Sequence, residues 1–159
     1  MSQPSFADYE FISPSDKPAL LALSSMEVLA NVQTIILECG YKIHVASNHE
    51  DFTRRFAALN YQLVVVEELF AARTPEENAT LRFLQWLPMA RRRHATTVLI
   101  SERHQTMNVM QAFQQSVHAV VNKNDLGSLG SIATKAVSDN DLFLHAYREV
   151  QAAAARGKI

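Results

Sequence analysis

The sequence predicts an α/β fold: a doubly wound sheet of five parallel strands, flanked by helices and followed by a C-terminal helical extension. Three observations point there. Short apolar runs alternate five times, between about Lys17 and Val137, with segments whose apolar residues recur at helical spacing. The run Leu63-Val64-Val65-Val66 has no polar alternation, so its strand needs cover on both faces. Strands joined through helices run parallel, because right-handed crossovers lay each helix back on the sheet.

Taken in order, Ala19 to Leu23 is the first strand and ends at Ser24-Ser25. Val28, Val32, Ile35, Ile36 and Cys39 mark the first helix, and Gly40 stands where a C-cap belongs. Tyr41 to Ala46 alternates like a strand open on one face. Asn48 is a cap for a helix with Phe52, Phe56 and Leu59 on its inner side. That helix leads into the central strand from Tyr61, which ends abruptly in Glu67-Glu68. Thr74-Pro75-Glu76-Glu77 combines capping-box spacing with proline at the first helical position, which predicts a helix starting there and ending or kinking at Pro88. Thr96 to Ile100 is the fourth strand, ending at Ser101. Met107, Met110 and Phe113 ride the next helix, Ala119 to Val121 is the fifth strand, and a long helical region starts near Asp125.

Composition narrows the function classes. With 159 residues, 48% of them hydrophobic, the chain suits one domain. A net charge of -1 offers no general attraction to nucleic acid or anionic membranes. The single Cys39 forms no internal disulfide, no apolar segment reaches the roughly 20 residues of a membrane span, and Met1 to Asp16 lacks a signal-peptide pattern, so a cytoplasmic setting is expected. That first segment reads as a loose arm anchored by Phe6, Tyr9, Phe11 and Ile12. The six histidines show no metal-ligand spacing. A Gly-x-Ser-x-Gly turn and a glycine-rich phosphate loop are both missing, so neither a metal, a cofactor nor a nucleophilic enzyme is expected. Arg91-Arg92-Arg93 is the densest positive patch and reads as solvated.

Five βα units in about 120 residues fit the flavodoxin-like strand order 2-1-3-4-5, in which chemistry gathers beyond the carboxyl ends of the strands. The phrase Tyr-Gln-Leu-Val-Val-Val-Glu ending at Glu67, and Val-Val-Asn-Lys ending at Lys123, resemble the corresponding phrases of the receiver domain of bacterial two-component response regulators. The resemblance covers about Lys17 to Val137. It implies a CheY-like fold and a site for phosphoryl transfer, with an acceptor aspartate, an acidic pair for Mg²⁺, a hydroxyl and a lysine. By position Glu67 replaces the acceptor, Ser24 and Ser25 replace the acidic pair, Ser101 fills the hydroxyl position and Lys123 the lysine. Asn124 replaces the usual proline after the lysine, and Val120 the aromatic switch residue.

Phosphoryl transfer needs a metal to neutralise developing charge, and Mg²⁺ wants carboxylate oxygens, which two serines do not supply. The expectation is therefore a receiver-like module with a decayed site, acting through protein contacts without phosphorylation and without enzyme activity. The alternative is an atypical but working phosphoacceptor that uses Glu67 or a nearby serine. Glu67 is expected to pair permanently with Lys123 near Ser101.

Residues 138–159 go beyond a minimal receiver. Ser138-Asp139-Asn140-Asp141 offers a fresh cap, whether the helix continues or restarts, before a stripe containing Leu142, Phe143, Tyr147 and Val150. In the resembled family the helix four, strand five and helix five face carries partner contacts. Here that face would comprise Met107, Met110, Gln111, Val120 and the C-terminal stripe, and would serve a homodimer or a protein partner.

Overall fold

The computed structural model describes residues 15–92 and 94–157, so the expected anchors in the N-terminal arm and Arg93 lie outside the described residues. Five parallel strands, β1 (Lys17–Ala22), β2 (Tyr41–Val45), β3 (Leu63–Glu67), β4 (Thr96–Ser101) and β5 (Ala119–Asn122), form one sheet in the order β2-β1-β3-β4-β5. The connecting helices are α1 (Met26–Glu38), α2 (His49–Ala58), α3 (Ala79–Trp86) and α4 (Val109–Gln115), and α5 (Leu129–Ala155) closes the chain.

The unbroken apolar run of β3 is explained by two cores. Leu63 and Val65 face a layer built with Val28, Val32 and Ile36 of α1 and Leu129, Ala133 and Val137 of α5. Val64 and Val66 face the other layer, with Phe52 of α2, Leu81 and Leu84 of α3 and Ala112 of α4. Alternate residues of β1, β4 and β5 divide in the same way, so every central strand is buried on both sides.

The expected ends of most elements hold because their capping chemistry is local. Asn48 Oδ1 accepts from Asp51 N at 2.8 Å, and Gly40 sits beyond α1 at φ +89°, a conformation that favours glycine. The helix expected from Thr74 does not form there: Pro75–Glu77 is a single 3-10 turn, and Thr74 makes no side-chain cap. Buried Asn78 caps α3 instead, its Oδ1 accepting from Leu81 N at 3.0 Å. Its Nδ2 donates to the carbonyls of Glu67 and Glu68, so the helix start is tied to the end of β3. A cap that also satisfies two strand-end carbonyls outcompetes one that satisfies a single exposed turn. Met107 likewise precedes its helix, at φ 62°, with its N–H bonded to Val120 O at 2.9 Å, while Asn108 caps α4.

α5 runs for 27 residues, roughly 40 Å, and passes through Ser138-Asp139-Asn140-Asp141 without a break. The fresh cap is not used. Asn140 points inward, its Nδ2 donating to Thr96 Oγ1 at 3.2 Å, and Leu144 is buried.

Candidate functional site

The carboxyl ends of β1, β3, β4 and β5 converge on one edge of the sheet, where register sets Glu67 beside Ile100 and Ser101 beside Asn122. Glu67, Ser101 and Lys123 line a common cavity of about 250 Å³, together with Glu68, Arg73, Thr74 and Arg103. The expected Glu67–Lys123 ion pair is not made. Lys123 Nζ lies 3.1 Å from Glu102 Oε1, a carboxylate two residues beyond Ile100, and Glu67 Oε2 is buried without a hydrogen-bond partner among the described residues. A lysine on the rim reaches the acid already in water more cheaply than it desolvates itself against Glu67.

The second carboxylate is the better anchored. Glu68 is buried, and its oxygens accept from Arg103 Nε at 3.0 Å and Nη2 at 3.2 Å in a bidentate fork. His104 Nε2 sits 3.0 Å from Glu68 Oε2, at an angle that makes no hydrogen bond. Burial pushes the Glu68 carboxyl up, but the Arg103 hydrogen bonds and charge, with His104 and Ser101, outweigh it and hold it below its ordinary value. Ser101 Oγ also accepts from the N–H groups of Arg103 and His104, at 3.0 and 3.2 Å, so it shapes the turn that carries both.

The two serines are occupied as well. Ser24 Oγ accepts from Ala71 N at 2.7 Å, and Ser25 caps α1 by accepting from Val28 N at 3.4 Å. Neutral hydroxyls already engaged by N–H donors do not fit a hard divalent cation.

Sequence reasoning marked Glu68 only as the neighbour of Glu67 at a strand end, and it missed Arg103, His104 and Asn78. Arg103 and His104 stand two and three residues after the strand-ending Ser101, but only the register of β3 against β4 shows that they reach Glu68.

No family model matches the chain, and no curated protein matches it. Solved structures do. A response regulator from Thermotoga maritima is 13% identical with a TM-score of 0.61, over 77% of this chain and 98% of its own. The receiver domain of the Francisella response regulator 1452 is 14% identical with a TM-score of 0.62, over 78% and 98%. A chain in which a yeast Spc42 trimeric coiled coil is fused to another structure is 16% identical with a TM-score of 0.64, and covers 92% of this chain and 94% of its own. This chain has a receiver-like fold.

On that fold, the expected contact face is part surface and part core. Val120 is wholly buried in the α2–α4 layer and presents no surface. Gln111 is half-buried, its Oε1 accepting from Gln105 N at 2.7 Å. Met107, Met110, Leu142, Phe143, Tyr147 and Val150 are exposed. Phe113, expected at helical spacing, is 79% exposed and joins them, as does Val109. A groove of about 770 Å³ separates Phe113 on α4 from Phe143 on α5, so the two apolar areas border one depression. Among the described residues no helix is long and apolar enough to cross a membrane.

Proposed function

We propose that this chain is a phosphorylation-independent signalling module that works through protein contacts on a receiver-like scaffold, in the cytoplasm and without enzyme activity. The observation that carries the reading is the use made of the site's own donors. Ser24 and Ser25 hold backbone N–H groups, Ser101 shapes a turn, and Lys123 is paired with Glu102. The three serines and Lys123 are thus spent on contacts within the chain, and of these site groups Glu67 alone keeps a partnerless oxygen. The exposed apolar area on α4 and α5 supplies the contact surface.

One observation favours the alternative of a working phosphoacceptor: Glu67 Oε2 is partnerless beside a cavity that also holds Ser101 and Lys123. Acetyl phosphate with Mg²⁺, followed by intact mass, separates the two. Unchanged mass is expected, and a stoichiometric gain of one phosphoryl group on Glu67 or a serine would overturn the proposal. Ser24→Asp, Ser25→Asp and Glu67→Asp are expected to restore uptake only in combination.

A further inference from the structure

We infer that the cavity at the carboxyl edge of the sheet binds a small zwitterion of the amino-acid class, its ammonium on Glu67 and its carboxylate on Arg73. This rests on the reading of the site as one that takes no phosphoryl group, and it names the class of ligand that the site takes instead.

The charges around the cavity are balanced in number but not all matched. Three cations line it, Arg73, Arg103 and Lys123, and three carboxylates, Glu67, Glu68 and Glu102. Arg103 is forked onto Glu68, and Lys123 is paired with Glu102. One anion and one cation are left, Glu67 and Arg73. Among the described residues neither forms an ion pair, and Glu67 Oε2 is buried without a hydrogen-bond partner. A carboxylate oxygen taken from water with no donor is destabilised until a donor reaches it.

One short stretch of chain holds the two free groups against the same cavity. Arg73 N donates to Glu77 Oε2 at 3.1 Å, and the next residue, Asn78, donates through its Nδ2 to the Glu67 carbonyl, also at 3.1 Å. The loop that carries the free guanidinium is therefore tied to the strand end that carries the free carboxylate.

This arrangement selects against ligands of a single charge sign. A dicarboxylate or a phosphate meets three carboxylates, and a simple amine meets three cations. A molecule with one charge of each sign gives Glu67 the donor it lacks and gives Arg73 a carboxylate for its fork. The Lys123–Glu102 pair is solvent-exposed and contributes little either way. The size of the cavity, about 250 Å³, falls below the roughly 300–1,000 Å³ of sites for drug-sized molecules. Leu69 and Pro75 supply apolar wall, which suits a short aliphatic side chain better than a third charge.

Isothermal titration calorimetry of the full chain tests this with alanine, valine, leucine and γ-aminobutyrate in turn. Any that binds is compared with the amine and the acid that each keep one of its charges, isobutylamine and 3-methylbutanoate in the case of valine. At least one zwitterion is expected to bind with a Kd below about 1 mM. Its single-charge analogues, and the Glu67→Gln and Arg73→Gln variants, should each bind at least about tenfold more weakly. Lys123→Gln should change affinity by less than about threefold. Glutamine keeps the shape of Glu67 and Arg73 is exposed, so circular dichroism spectra of the variants should match the wild type. No binding by any of the zwitterions, an analogue that binds as tightly, full affinity in Glu67→Gln or Arg73→Gln, or an equal loss in Lys123→Gln would each overturn the inference. A phosphoryl mass gain with zwitterion binding intact would overturn only the phosphorylation-independent reading.

Discussion

Asp51 shows how one carboxylate can hold a loop at the sheet's carboxyl edge. Its side chain accepts from Ser47 N at 2.9 Å, from Ser47 Oγ and Arg55 Nε at 3.1 Å each, and from Arg54. Burial alone raises its pKa, but the Ser47 N–H and the two guanidiniums outweigh burial and bring it down to about 2. A carboxyl lower in the folded than in the unfolded chain contributes stability above the unfolded value, near 4, and loses it as pH falls toward 2. The contribution is about 2 kcal/mol. Urea unfolding should therefore show the wild type and Asp51→Asn well separated at pH 7 and converging near pH 2.5; a constant gap would refute the linkage. The same comparison separates the two cations at the site. Lys123 pairs with exposed Glu102, so Lys123→Met should change stability by less than ~1 kcal/mol. Arg103→Met strands buried Glu68, and even with Arg103 itself 60% exposed should cost roughly 1–2 kcal/mol at neutral pH, shrinking as Glu68 is protonated in acid. Equal effects of the two substitutions would mean that the fork around Glu68 is unimportant. The sequence marked Glu67 and Glu68 as a pair at a strand end, but which one is buried against an arginine depends on side-chain direction and strand register, and neither is written locally.

At the scale of elements, what was legible had local punctuation. Strand three was readable from three consecutive valines, and α2 from Asn48 followed by an apolar face, because each signal acts within a few residues. The start of α3 was misread because Thr74-Pro75 and Asn78 are both competent caps, and only the tertiary contact of Asn78 with the end of β3 decides between them. Continuity of α5 is illegible locally for the same reason: Ser138 to Asp141 favours a cap in isolation, but Asn140 is drawn inward to Thr96 and Leu144 is buried one turn later. This locates the dispensable part of the extension. A chain ending at His145 keeps both inward contacts and should melt within a few degrees of the full chain. One ending at Val137 loses both, and should fall by several kcal/mol, since a buried leucine alone is worth about 2–5 kcal/mol. Equal melting of the two truncations, measured by circular dichroism, would show that Asn140 and Leu144 contribute nothing to the domain.

For the molecule as a whole, the sheet is the shared wall of two cores, and this bears on how it unfolds. The α1–α5 layer and the α2–α4 layer touch the same strands through alternate residues, so neither can dissolve without exposing the back of the other's apolar wall. Cooperative unfolding in one step follows. Ile36 on α1 and Phe52 on α2 are both fully buried, in opposite layers. Ile36→Ala and Phe52→Ala should each cost about 2–5 kcal/mol. Both should move one common urea transition to lower concentration without changing its slope. Circular dichroism is the appropriate probe, since Trp86 is 82% exposed and is already in water in the folded state. A two-step curve in either variant would show that the layers fail independently. A single shifted curve would mean that loops at the carboxyl edge and the face of α4 and α5 stand on one cooperative support, the strands common to both cores.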